Sequence, residues 1–432
     1  MKSVFLTCGF FFFLACSVKK DIHQSVEQKD VERIIRTLSA DDMAGRGLFT
    51  PGIEKAAGFI ETEFRAIGLQ PLAGQSSFRQ DFSMLAIKPV LIKASINGEP
   101  VEGDRVIVIT DRESLNWTKA GGTDIHYIKS GSSFTEQYGK IMRLGKPAMV
   151  FVDEEFLDSF NQMHHYFMGD RVVEKTMNRP EMVFILSGEI PKAYQISFRN
   201  KIEKSPLFNI AGIIPGKNKP DEFVIFSAHY DHLGVIVATE GDSIANGADD
   251  DASGVTAVIS LAKHFKRLNT NGRTLIFVAF TGEESGQMGS GYFATKIASA
   301  KVSAMFNIEM IGKESKFGKN AAFITGFERS NLGSILQKNL DGTGFTLHPD
   351  PYPEQNLFYR SDNASLALLG VPAHTISTDQ IDKDKFYHTV NDEIETLSLD
   401  NITATIKAIA LSARTIVAGT DTPTRVALQG NK

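Results

Sequence analysis

The chain has 432 residues, 42% hydrophobic and 22% charged, enough to bury a large core in one or two domains. A formal net charge of −5 excludes the basic footprint of a nucleic-acid-binding protein. Acidic and basic residues nearly balance, 51 against 46, and no polybasic or polyacidic tail stands out.

Residues 1–17, MKSVFLTCGFFFFLACS, read as a targeting segment. Lys2 gives the positive start, and the apolar run 4–14 is too short for a permanent membrane span. Phe13-Leu14-Ala15-Cys16 is similar to a lipobox, which predicts a lipid on Cys16; cleavage after Ser17 and simple secretion are the alternative. Either way the expected location is extracytoplasmic: periplasmic, membrane-anchored or secreted. Cys8 and Cys16 are the chain's two cysteines, so beyond this segment no disulfide is expected.

Residues 24–80 read as a helical part of the main domain. In its second helix Ile53, Ala56, Ala57, Ile60, Phe64 and Ile67 recur at helical spacing, with Pro51 near the start and Gly68 as the stop. The preceding LSADDMAGRGLFTPG predicts a loop laid against the body. Residues 81–205 read as a β-rich inserted segment, similar to a protease-associated domain, in short apolar runs broken by Gly, Asp and Asn. His164 and His165 are adjacent and point apart on either a strand or a helix, which argues against a joint metal site.

Residues 206–420 alternate strand and helix. Apolar strands are expected at 223–227, 274–280, 305–310 and 372–377, and helices at 252–268 and 290–298. The fold class expected is α/β, three layers α/β/α with a mostly parallel central sheet. Ligands bind such sheets outside the carboxyl ends of the strands.

Five polar stretches stand at those ends or beside them. His229-Tyr230-Asp231-His232 closes the first strand, and Asn246-Gly247-Ala248-Asp249-Asp250-Asp251 precedes a helix. Glu283-Glu284 follows the strand 274–280, Glu309 closes the next, and Tyr387-His388 lies near the end. Singly, each is an ordinary surface or helix-start feature. Together, histidines and carboxylates beside glycine-rich turns make the nitrogen and oxygen ligand set of zinc.

In order and spacing these stretches resemble the two-zinc exopeptidases related to aminopeptidase Y and the bacterial leucyl aminopeptidases. Glutaminyl cyclases, glutamate carboxypeptidase II and the transferrin receptor ectodomain are relatives of that family. The resemblance implies two zinc ions per chain. His229 and Glu309 would hold the first, Glu284 and His388 the second, and Asp250 would bridge them. It further implies Glu283 as general base, Tyr387 as donor to the developing oxyanion, and Asp231 as the group orienting His229. Peptides would be the substrates, cleaved at the N-terminus. Carboxypeptidase action, glutaminyl cyclase action with one zinc, and a catalytically silent binding protein are the alternatives. A basic pocket for a free carboxylate would draw on Arg360 or Lys313.

Two departures from the family pattern stand out. Glu309 occupies a position where Asp is commoner, on a stem longer by about 1.5 Å. Asn363 ends a turn that often ends in His. Of the remaining histidines, His232 could line the cleft, and His348, in a proline-rich loop, could rim it. His264 and His374 need only packing roles.

Overall fold

The computed structural model describes residues 22, 24–119, 122–169, 171–174 and 180–428. The targeting segment with Cys16 lies outside them. Among the described residues no helix is long and apolar enough to cross a membrane. The chain divides into two units, one formed by residues up to Phe82 with Leu207–Lys432, the other by Ser83–Pro206.

In the first unit, helix α1 (Gln28–Leu38) buries Val31, Ile34, Ile35 and Leu38. Helix α2 (Pro51–Ile67) buries Ile53, Ala56, Ala57, Ile60 and Phe64, and ends at Gly68 with φ +80°. That left-handed turn is open to glycine at little cost. Next come β1 (Tyr194–Ile214), whose part from Leu207 on belongs to this unit, β2 (Lys219–His229), α3 (Gly254–Leu268) and β3 (Arg273–Phe280). After α4 (Met288–Lys296), the strands β4 (Val302–Ile308), β5 (Ala321–Ile324), β6 (Thr346–Pro349) and β7 (Ala373–Ser377) complete the sheet. Their order is β6-β5-β7-β4-β2-β3-β1. The central pairs β3·β2, β2·β4 and β4·β7 are parallel, while β1·β3 and β5·β7 are antiparallel. The sheet is thus mostly parallel, with helices supplying its cover, as the unbroken apolar strands require.

Phe226 fixes the central strand. Its ring stacks on Phe265 of α3, Phe277 of β3 and Phe306 of β4 at centroid distances of 5.3, 5.4 and 4.9 Å. Truncating so buried an aromatic costs about 3–5 kcal/mol, so the strand that ends in His229 is anchored three residues earlier.

The second unit holds a four-stranded sheet ordered Val106–Ile109, Met182–Leu186, Ala148–Val152 and Asp124–Ile128. It also carries two helices, Phe134–Met142 and Leu157–Met168, which the sequence reading of a β-rich segment does not anticipate. Their buried stripes are narrow, Ile141 in one and Phe160 with Met163 in the other, so little periodic signal marks them. His164 lies on the second of these helices with Nε2 3.3 Å from the Gly103 carbonyl oxygen.

Proline-rich residues 348–353 are not wholly loop. His348 belongs to β6, pairs with Phe323 of β5, and stacks on Phe317 at 3.9 Å. Pro349 is tolerated there because it ends an edge strand.

Candidate metal centre

Strand register builds the first half of the site. Ser227 of β2 is level with Asn307 of β4, and their side chains meet with Ser227 Oγ donating to Asn307 Oδ1 at 2.7 Å. Side chains two residues on share the same face. There His229 Nε2 stands 3.3 Å from Glu309 Oε1 and 3.0 Å from Asp250 Oδ1. His229 is fully buried, and its Nδ1 lies 3.0 Å from the main-chain oxygen of Asp231. Donation from Nδ1–H to that carbonyl leaves the Nε2 lone pair facing Asp250 and Glu309. Asp231 therefore orients His229 through its backbone; its carboxylate lies farther off, at 3.8 Å, and accepts from the Glu283 amide.

Glu309 takes up its longer stem in a defined way. Its Oε2 accepts from Ser361 Oγ and from Asn307 Nδ2, the latter at 3.4 Å, while Oε1 faces His229. Asn363, where the family often has His, is buried and donates to the carbonyls of Phe358 and Ala373 while accepting from Thr375. Its role is to hold the turn.

The second half is built around the three aspartates before α3. Asp392 accepts from the amides of Asp249 and Asp250 at 3.0 Å each, fixing the turn. Asp251 accepts from the amides of His229, Gly254 and Met310, and Asp249 from that of Gly312. Asp251 is used up in tying strand ends together, while Asp249 does so through Oδ1 and turns Oδ2 away from the two halves. Asp250 is left facing both halves: Oδ1 toward His229, and Oδ2 3.3 Å from His388 Nε2 and 3.8 Å from His232 Nδ1. Glu284 completes this half, with Oε1 2.7 Å from His232 Nδ1 and Oε2 3.1 Å from His388 Nε2. Gly247 makes the turn possible. It sits at φ +57°, and a Cβ there would meet the Asp250 carbonyl oxygen at 2.2 Å and the His232 ring at 2.6 Å.

The structure thus gathers His229, Asp250, Glu284, Glu309 and His388 into one site, with Glu283 and Tyr387 beside them. Tyr387 is half-buried and stacks on His388 at 3.8 Å. The sequence reading gave too little weight to two further residues. His232 is buried and grouped with Asp250 and Glu284 as closely as a ligand. Arg46 ends a short 3-10 helix, Asp41–Arg46, where a loop is expected from the sequence; it is 1% exposed and donates to the carbonyls of Leu38, Tyr230, Asn246, Gly247 and Asp250. His232 had a signal in its spacing from His229; Arg46 had none, since all five partners are main-chain atoms.

The electrostatics are those of a cation site. Burial opposes charging His229, yet Glu309 and Asp250 outweigh it and hold the imidazole well above its ordinary value. Burial likewise opposes His388, but Asp250 and Glu284 raise it to about 10. Burial raises Glu283 well above the carboxylate range, reinforced by Glu309, Asp362 and Glu284 against the pull of His229. Burial, with Asp250, Glu284 and Glu309, also raises the Tyr387 hydroxyl, which keeps it a neutral donor. So many buried carboxylates call for positive charge among them.

The donors also have the right spacing. His229, Asp250 and Glu309 form one group, and His232, Asp250 and Glu284 another, with ligand atoms within 4.8 Å in each. An ion bound tetrahedrally at about 2.0–2.1 Å sets donor–donor edges near 3.3 Å, which the His229–Asp250 and His229–Glu309 separations approach. Asp250 Oδ1 is buried and makes no hydrogen bond among the described residues. The residues fit zinc.

Residues 209–413 match the profile described as Peptidase family M28. Over this segment, a little under half of the chain, the sequence is similar to peptidase family M28. Among curated relatives, a probable zinc metalloprotease of Pyrenophora tritici-repentis is 37% identical over 106 residues, covering 24% of each chain. Leucine aminopeptidase 1 of Penicillium rubens is 30% identical over 211 residues, 45% of this chain and 52% of the relative. The chain thus spans between about a quarter and a half of these relatives' lengths. In fold it is similar to the solved aminopeptidase of Aneurinibacillus sp. strain AM-1, with a TM-score of 0.59 at 18% identity over 95% of this chain and 98% of that one.

Around the candidate metal centre, a cavity opens on Glu309 and Tyr387 and is lined by Met310, Phe323, Leu357 and Ile381, with Arg360 and Asp379 also on its wall. Lys313 is engaged elsewhere, bonded to Asp384 and 3.4 Å from Asp249. Of the two cations that a free-carboxylate pocket would draw on, it is the one already neutralised.

Proposed function

We propose that the chain is a zinc-dependent exopeptidase that removes N-terminal residues from peptides, using two zinc ions. The observation that carries this reading is Asp250, whose two carboxylate oxygens face different ligand groups, as a bridging carboxylate must. His229 and Glu309 would hold one ion with Oδ1 of Asp250; Glu284 and His388 would hold the other with Oδ2, His232 standing beside them. When bound, zinc supplies Lewis acidity that polarises a carbonyl and lowers the pKa of water.

The chain's own groups supply the rest. Glu283 belongs to neither ligand group, so its carboxylate is free to take a proton from the attacking water and pass it to the leaving amine. Tyr387, kept protonated, donates to the oxyanion as the carbonyl carbon becomes tetrahedral. The apolar cavity beside Glu309 suits an apolar side chain at the substrate's N-terminus. Every ligand position holds a competent side chain, which supports an active enzyme over a silent binding protein.

The protein acts outside the cytoplasm in this reading, tethered by a lipid on Cys16. Labelling with a fatty-acid analogue tests the tether: wild type carries label and Cys16→Ser does not. The activity is tested by profiling cleavage of a peptide library with and without a chelator. Stepwise loss of N-terminal residues, abolished by the chelator and by Glu283→Gln, is expected. Chelator-resistant cleavage, or cleavage from the carboxyl end, would overturn the reading.

A further inference from the structure

Beyond the two ligand groups, a third set of carboxylates converges on the other side of Asp249. Asp249, Asp379 and Asp384 bring oxygen atoms within 4.8 Å of one another. Asp249 and Asp379 are buried, at 0% and 4% exposure. Among the described residues, Asp379 has no donor for either oxygen apart from the facing Asp384 carboxyl. Carboxyl groups that face each other in this way attract only when a proton or a cation lies between them. Lys313 brings one positive charge, bonded to Asp384 and 3.4 Å from Asp249, against three carboxylates; Lys383 and Lys385 share the adjoining cavity. A divalent ion would bring the group to neutrality.

We propose that Asp249, Asp379 and Asp384 form a separate cation site, of calcium type, that ties the segment bearing Tyr387 and His388 to the turn bearing Asp250. The donors are all oxygen, which selects a hard ion over zinc. Calcium takes six to eight oxygens in irregular arrangements, and water can complete the shell. A cavity of about 280 Å³, lined by Asp379, Asp384 and Phe386 together with Lys313, Lys383 and Lys385, gives water and ions access to the cluster. The position explains the arrangement. Asp249 immediately precedes the bridging candidate Asp250, and Asp384 lies four residues before His388. A cation here would hold two arms of the metal centre in register, and Asp379, which also lines the cavity beside Glu309, would link it to the substrate side.

Equilibrium dialysis of the zinc-loaded full-length protein against radiolabelled calcium chloride tests this without any variant. One calcium per chain is expected, with a dissociation constant on the order of 10⁻⁴–10⁻³ M, in the range of extracellular calcium modules. The thermal midpoint rises as the site fills. Asp379→Asn, which keeps the side chain's volume, weakens binding at least about tenfold and flattens that rise while zinc content stays unchanged; Asp384→Asn serves if the first variant fails to fold. Absence of calcium binding in wild type would overturn the proposal and leave a shared proton with Lys313 as the neutralising charge. Binding that Asp379→Asn and Asp384→Asn leave intact, or binding without a change in midpoint, would overturn it equally. Because zinc content is read separately, a failure here is distinct from a failure of the peptidase reading.

Discussion

Arg46 donates from Nε to the carbonyl oxygen of Tyr230 at 2.9 Å, and so pins the residue beside His229 from the end of a short 3-10 helix 184 positions away in sequence. The same guanidinium reaches Asn246, Gly247 and Asp250, so one side chain clamps both stretches that supply the first ligand group and the bridging carboxylate. Five buried carbonyls share its planar fork, which an ammonium cannot reproduce.

Arg46→Lys is therefore expected to destabilise the fold by about 2–5 kcal/mol, since each buried acceptor left unpaired costs about 1–3 kcal/mol. Urea unfolding measures this. Zinc content of the folded fraction falls with it. A variant with wild-type stability and metal content would show that the clamp is incidental.

The Glu309 carboxylate is held on one oxygen by Ser361 and Asn307 while the other faces His229. Ser361→Ala removes that support without touching a ligand. Loss of such an outer partner typically weakens metal affinity by 10–100-fold, and zinc titration is expected to show about that loss in one of two equivalents. Glu309→Asp, drawn back by about 1.5 Å, is expected to weaken the same equivalent. Equal weakening of both equivalents, or of neither, would contradict the assignment of Glu309 to one ion.

His374 gives a stability prediction remote from the metals. Its Nδ1 lies 2.8 Å from the Thr325 carbonyl oxygen and its Nε2 2.7 Å from Ser330 Oγ. Nδ1–H donates to the carbonyl and Nε2 accepts from the hydroxyl, which requires the neutral ring. Burial pushes its pKa down to about 4. A depressed folded-state pKa means that the unfolded chain binds the proton first. The stabilisation is complete above about pH 6.5 and drains away as pH falls toward 4. The gap amounts to about 3 kcal/mol, at 1.36 kcal/mol per pKa unit. Chemical denaturation of the zinc-loaded protein checks this: the advantage of wild type over His374→Asn narrows by about that amount between pH 7 and pH 4.

Much of this fold is legible in the sequence because parallel strands buried on both faces leave unbroken apolar runs, as in β2 and β3. Glu283, Glu284 and Glu309 could be placed because they immediately follow such runs. What the sequence concealed depends on partners with no signature. Arg46 binds main-chain carbonyls, and Asp231 orients His229 by its backbone oxygen. The helices Phe134–Met142 and Leu157–Met168 bury too few side chains to mark their period. His348 looked like loop because prolines surround it, yet pairing with β5 keeps it in the sheet.

The zinc content of purified wild type and Asp250→Asn, measured side by side, tests the central claim most directly. If Asp250 bridges two ions, wild type holds two zinc equivalents, and the single substitution weakens both while the protein stays folded. One equivalent in wild type, or an Asp250→Asn protein that loses one and keeps the other at full affinity, would contradict it.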